Sequence, residues 1–200
     1  NRSFVNPIVI ISDPSYKGSD PVTTRLQNIT LNSFQVRLQE PNYRDGGHVF
    51  EDIFYIVGEE GSWVLDNNYY IQFGKHNTNK LSTQGFDTIN TNNFTTTPNV
   101  LTQIQTFNDT NWVITRTRNI SNNSFDLTMQ EEEKNNNGAH VSETIGWVVI
   151  TKGTFNNGNI LLKSVTVNKV NNNFKNITFN NTFNSTPNLL TKLISFNGAD

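Results

Sequence analysis

The sequence predicts an all-β protein made of tandem antiparallel β-sandwich repeats of about 90 residues each. Composition is the first reason. Among 200 residues there are 34 Asn, 24 Thr and 14 Phe but one Met; Thr and Phe favour strands, Asn favours turns, and good helix formers are scarce. Internal repetition is the second. TRLQNITLNSFQVRLQE, from Thr24 to Glu40, returns as TRTRNISNNSFDLTMQE from Thr115 to Glu131. The third is the alternation of apolar and polar side chains within those blocks.

Along the chain, NPIVIISDPSYKGSDPV at Asn6 aligns with TPNVLTQIQTFNDTNWV at Thr97, and TPNLLTKLISFNGAD at Thr186 begins a third copy. The strand after the shared asparagine reads as half-buried. Phe34, Val36 and Leu38 point one way and Gln35, Arg37 and Gln39 the other, and the second copy repeats this with Phe125, Leu127 and Met129 against Asp126, Thr128 and Gln130. The polar turns that follow, PNYRDGG and EEKNNNGA, differ between copies as surface loops do. GGHVFEDIFYIVGEEG (Gly46 to Gly61) then matches GAHVSETIGWVVITKG (Gly138 to Gly153). Its IFYIVG and IGWVVI are apolar on both faces, which predicts a central strand. FDTINTNNFTTTPNV from Phe86 matches FKNITFNNTFNSTPNLL from Phe174. About six or seven strands fit each repeat at sandwich spacing.

The expected division is a first repeat over 1–85 with its opening strand partly missing, a second over 86–173, and 174–200 as the start of a third or a strand joining the next unit. The chain begins and ends at nearly the same phase, as a window cut from a longer array would. A net charge of −2 and a pI near 5.9 argue against a nucleic-acid partner. No apolar run approaches the roughly 18 residues that span a bilayer. Cysteine is absent, which rules out disulfides and thiolate metal sites and fits a microbial surface protein stabilised by core burial. With no leader in view, any signal peptide lies outside the sequence.

The pattern TPNV, then R-x-x-N-I-T/S-x-x-S-F, then a W/Y-V/I-V-I strand resembles the H-type lectin repeat. It is also similar to tandem repeats of microbial surface proteins reading RxRNVTxxSFEVRLQE and HVxETVxYLVxExG. The resemblance covers about 60 of every 90 residues, twice. It implies a small antiparallel β-sandwich. From the lectin side it also implies recognition of N-acetylgalactosamine-type sugars, often by trimers, with an arginine and a histidine from neighbouring strands. In this chain those would be Arg25 with His48 and Arg116 with His140.

The residues themselves offer few sites for chemistry. His48-Val49-Phe50-Glu51 recurs as His140-Val141-Ser142-Glu143, with Glu40 and Glu131 ending the adjoining strand. Such a group could bind a divalent ion or act as acid and base. Residues three apart on a strand point to opposite faces, however, so the pattern reads rather as His and Glu closing a turn on backbone groups. The turn from Asp13 to Asp20 has the look of a calcium loop, but its counterpart keeps only Asp109 and reads as an ordinary turn. His76 has no counterpart, and no Ser-His-Asp order can be built. No catalytic residue, metal or cofactor is expected.

N-glycosylation sequons stand at Asn1, Asn28, Asn93, Asn108, Asn119, Asn122, Asn176, Asn180 and Asn184. Composition alone would give about six, so position says more than count. Asn28 and Asn119 are equivalent, and Asn93 and Asn184 both precede a TP motif. Together these features predict an extracellular structural protein whose glycosylated units form a fibre, surface layer or matrix array. Its partners are copies of itself, joined head to tail through Phe179 to Phe196. The alternative is a carbohydrate-binding adhesin of H-type-lectin kind.

Overall fold

The computed structural model describes residues 3–66, 68–134, 138–180 and 183–198. Thirteen strands carry the fold among them: β1 (Pro7–Ile11), β2 (Thr23–Gln27), β3 (Gln35–Gln39), β4 (Tyr55–Glu59), β5 (Gly61–Asp66), β6 (Tyr69–Thr78), β7 (Asp87–Asn90), β8 (Asn99–Ile104), β9 (Val113–Arg118), β10 (Ser124–Glu131), β11 (Glu143–Ile150), β12 (Gly153–Asn156) and β13 (Leu161–Ser164). Every strand-to-strand ladder is antiparallel. The chain is all-β.

A seven-stranded sandwich lies at its centre. One sheet has the order β5-β6-β11-β8 and the other β7-β10-β9. Between them lies a core of Ile89, Val100, Ile104, Val113, Phe125, Leu127, Met129, Ile145, Trp147 and Val149. The Phe125 and Trp147 rings meet edge to face across it, 5.8 Å between centroids. Trp147 lies over Gly74 on the adjacent strand, where a Cβ would stand 2.2 Å from the ring. The four-stranded sheet runs across the boundary expected between residues 85 and 86, because β5 and β6 are bonded into it with β8 and β11.

Two further layers stack on this sandwich. The β1-β4 pair covers the outer face of the four-stranded sheet through Ile8, Ile10, Tyr69, Ile71, Phe73, Val148 and Ile150, with Phe155, Leu162 and Leu190 joining from the C-terminal part. On its other side, Val9 and Ile11 of β1 pack with Leu26 of β2, beside Phe34 and Val57.

This layering explains the strand that is apolar on both faces. Ile145, Trp147 and Val149 of β11 enter one core, Val148 and Ile150 the other, and β6 and β8 flank it. Its sequence counterpart β4 departs from the expectation. Among the described residues β4 is bonded to β1 alone, so it is an edge strand, and Tyr55 is 58% exposed. The two faces of β4 still meet a core each, through Ile56 on one side and Val57 on the other, while the open edge leaves its residues only partly covered.

The segment expected to reach into a next unit has no regular strand over 183–198. It lies along its own chain. The Thr117 hydroxyl donates to the Leu193 carbonyl at 3.1 Å, the Thr191 hydroxyl to Asp13 at 2.8 Å, and Phe196 meets Phe86 at 5.4 Å.

Candidate functional site

Both His-Glu motifs form a clasp of side chains. Gly46 and Gly138 take φ of 78° and 73°, a left-handed turn that suits glycine, and residues 47–54 and 139–142 after them belong to no strand. The two-face alternation of a strand therefore does not apply, and His and Glu can meet. His48 Nδ1 lies 3.0 Å from Glu40 and Nε2 3.3 Å from Glu51. His140 Nδ1 lies 2.9 Å from Glu131, while Nε2 is 3.6 Å from Glu143, an ionic contact too long for a hydrogen bond. The glutamates do bond to backbone groups as expected, Gly46 N–H donating to Glu40 at 3.3 Å, whereas each histidine lies between two carboxylates instead of on the backbone.

The second glutamate of each clasp is also held by the loop after the opening strand. Glu51 accepts from the Ser15 hydroxyl and from the N–H groups of Lys17 and Gly18. Glu143 accepts from the Thr106 hydroxyl and the Asn108 N–H. The Asp13–Asp20 stretch therefore aims backbone donors at a carboxylate, which is the work of an anion-holding loop. Among the described residues no group of three or more His, Cys, Asp or Glu is arranged to hold a metal ion.

One clasp has an additional member. Arg25, on β2, is 1% exposed, and its Nη2 meets Glu143 of β11 at 2.9 Å with both side chains buried. Its Nη1 donates to Gln39 and to the Asn111 carbonyl, and Phe107 lies over its guanidinium at 4.6 Å. Gln105 strengthens the same junction. Its amide oxygen accepts from Val9 N–H at 2.9 Å and its amide nitrogen donates to Val9 C=O at 2.7 Å, so a side chain completes the free edge of β1.

These surroundings set the ionisation. Burial would push the Glu51 carboxyl up, but Ser15, Gly18, Lys17 and His48 hold it down at about 2. The bond to Glu40 leads in raising His48. Burial lowers His140, yet Glu143, Glu131 and Asp109 outweigh it and raise the imidazole above 6.5. Burial also lowers Arg25, partly offset by Glu143 and Asp109. The sign of the pH dependence follows. The depressed Glu51 contributes stability that is intact above 4.5 and lost as pH falls towards 2. The raised histidines contribute stability that is full below 6.5 and lost as pH rises through their folded values. Melting temperature should therefore peak between pH 4.5 and 6.5 and fall on both sides, with His140→Gln flattening the alkaline limb; an unchanged melting temperature from pH 6.5 to 9 would contradict the clasp.

The pairs implied by the lectin resemblance are not joined. No hydrogen bond or ion pair links Arg25 to His48 or Arg116 to His140 among the described residues. Arg25 bonds instead to the clasp of His140, and Arg116 lies under Phe196 at 4.9 Å with a buried Nε that has no hydrogen-bond partner. Arg25, His48 and His140 have buried side chains, closed to a surface sugar. Sequence reasoning passed over Phe107 and Gln105, although Phe107 recurs as Phe196 in the aligned TPNVLTQIQTF and TPNLLTKLISF, and it read Asp109 only as part of an ordinary turn. The unmatched His76 pairs with Asp87 at 3.1 Å beside Lys80.

The repeated sequon has a conformational role. Asn28 and Asn119 adopt φ of 51° and 50°, the left-handed region that asparagine tolerates best among residues with a Cβ. Thr30 and Ser121 accept from the N–H groups of Ser33 and Ser124 through their hydroxyls, closing the same turn. Asn28, Asn93, Asn108, Asn119, Asn122, Asn176, Asn180 and Asn184 are all exposed; Asn1 lies outside the described residues.

Over 164 residues the chain is 32% identical to halomucin of Haloquadratum walsbyi (strain DSM 16790 / HBSQ001), a match covering 76% of this chain and 2% of that protein. The chain thus spans a small fraction of the relative it matches. The family described as the CEP192 Aurora A binding region matches residues 51–111, a stretch that starts before β4 and ends after β8 without coinciding with either sheet of the sandwich. No solved structure matches the chain. No helix among the described residues is long and apolar enough to cross a membrane.

Proposed function

We propose that this chain is an extracellular structural protein, a string of β-sandwich units joined head to tail in a fibre, surface layer or matrix array and coated with N-linked glycans. One observation carries the reading: the same arginine-on-phenylalanine contact occurs twice, with Arg25 under Phe107 and Arg116 under Phe196. A contact that recurs in step with the sequence repeat is a contact between units, and units that touch only their neighbours build a one-dimensional array. The similarity to halomucin, a mucin by name, supports an extracellular setting. The exposed sequons support a glycan coat. In this reading the partners are further copies of the unit, and no catalysis or cofactor is involved.

Immunogold microscopy of native material tests the array, and glycopeptide analysis tests the coat. The expected result is labelled filaments or sheets outside the cell, with sugar on Asn28 and Asn119 together because they occupy equivalent turns. Dispersed intracellular label would overturn the reading. Bare Asn28 and Asn119 would remove the coat and leave turn geometry as the reason for the asparagines. The alternative, a carbohydrate-binding adhesin, needs sugar contacts other than the buried Arg25, His48 and His140; sugar-inhibitable binding to a glycan array would favour it.

A further inference from the structure

The loop 105–112, between β8 and β9, is where the β2-β3 pair meets the central sandwich. Its Thr110 carbonyl accepts from Gln39 at 2.6 Å and its Asn111 carbonyl from Arg25 at 3.0 Å. Asn42 donates to the Asn111 side chain at 3.1 Å and accepts from Trp112 N–H at 3.2 Å. The same loop is pinned from beneath by carboxylates. Glu143 accepts from the Thr106 hydroxyl and the Asn108 N–H. Glu131 accepts from the Asn111 amide at 3.3 Å, and Asp109 from the Asn111 N–H at 3.0 Å. All three carboxylates converge on one imidazole. His140 Nδ1 lies 2.9 Å from Glu131 and 3.9 Å from Asp109, and Nε2 lies 3.6 Å from Glu143. The ring is fully shielded, and neither its Nε2 nor Glu131 Oε2 has a hydrogen-bond partner among the described residues.

We infer that the proton on His140 is a latch on this junction: with it the loop 105–112 grips the β2-β3 pair, and without it the pair frays from the loop while the central sandwich stays folded. The inference deepens the array reading, because this junction is the contact between its units, and it gives that contact a regulator. The charges facing the ring come from every element around it. Glu131 ends β10, Glu143 begins β11, Asp109 lies in the loop itself, and Arg25 reaches Glu143 from β2. Arg37 of β3 stands opposite Arg25 in the β2-β3 ladder, and its like charge works against that guanidinium.

Charge decides the direction. Protonated His140 and Arg25 set two cations against the three carboxylates. Neutral His140 leaves Arg25 alone against them, and like charges held together without a counterion repel. The groups those carboxylates pin are Thr106, Asn108 and Asn111, on both sides of the Phe107 ring that covers Arg25. The sign follows. Burial lowers the imidazole, but Glu143, Glu131 and Asp109 outweigh it, so the proton is held below 6.5 and lost as pH rises through the folded value. The damage stays local, because the central sandwich keeps its own core of Phe125, Leu127 and Trp147. His48 is the internal control, since its two carboxylates, Glu40 and Glu51, lie within the region 3–59.

Hydrogen exchange on the full chain tests the latch, read as protection factors so that the intrinsic pH dependence of exchange cancels. From about pH 6 to about pH 9 the amides of β2 and β3 should lose about tenfold in protection, and those of β9 and β10 less than about twofold. In His140→Gln, β2 and β3 should show the low protection at both pH values, whereas His48→Gln should keep the response. Asp109→Asn retains an acceptor for the Asn111 N–H but removes one charge facing the ring, so the midpoint should move to lower pH. That variant carries the test if His140→Gln does not fold. Equal loss in β2-β3 and β9-β10, a response that survives His140→Gln, or an Asp109→Asn midpoint that stays or rises would overturn the latch. Surface filaments seen by immunogold alongside such a result would leave the array reading standing. Dispersed intracellular label with the response intact would discard the array and keep the latch.

Discussion

Arg25→Ala is expected to cost about 3–5 kcal/mol of unfolding free energy, the usual penalty for removing one partner of a buried ion pair. Both side chains of the Arg25–Glu143 pair are fully shielded. Truncation leaves the Glu143 carboxylate buried with one ionic neighbour fewer, and Gln39 and the Asn111 carbonyl lose their donor. It also uncovers the face of Phe107. Arg116→Ala is the internal control. That guanidinium has the same place in the repeat and stacks on the Phe196 ring, but among the described residues it has no carboxylate partner, so its loss should cost about 1 kcal/mol. Urea denaturation at constant m reads both. Equal, small losses would mean that the buried pair contributes nothing beyond stacking.

That contrast also marks what the sequence could and could not convey. Strand content and alternation were legible: Phe125, Leu127 and Met129 enter the core as their spacing requires. The doubly apolar IGWVVI was legible as a central strand because both of its faces meet a core. The matching IFYIVG was not, since its exposure depends on how many neighbours β4 finds, and strand count is a property of the fold. The clasp was hidden for a local reason. Gly46 and Gly138 turn the chain out of strand geometry, so the two-face argument that separated His48 from Glu51 had no strand to act on. Arg25 was conspicuous, yet its partner lies 118 positions away in the second copy. No spacing rule within one repeat reaches that far. The repeated sequon was legible as a pattern, but its left-handed φ gives Asn28 and Asn119 a reason to recur whether or not sugar is attached.

Phe73→Ala should be as damaging as the loss of Arg25, at about 3–5 kcal/mol, and should also divide the unfolding transition. Phe73 is buried in the core between the β1-β4 layer and the four-stranded sheet. Its ring lies against Gly58 of β4, where a Cβ would stand 2.2 Å from it. Gly58 has no side chain to swing into the vacated space, so the cavity persists and the cost falls towards the upper end. The β1-β4 layer is then held by Ile8, Ile10 and Ile56 and by the two Gln105 bonds to Val9. Hydrogen exchange should show β1 and β4 opening before β9 and β10, which keep the Phe125–Trp147 core. A single shifted transition with uniform loss of protection would mean that the layers unfold as one body. Gly58→Ala examines the same wall from the other side. In the intact chain its methyl collides with the ring and should destabilise by about 1–3 kcal/mol. Combined with Phe73→Ala, the same methyl enters the space the ring has left. The double variant should then be more stable than Phe73→Ala alone, and that reversal of sign is what contact between these two residues requires.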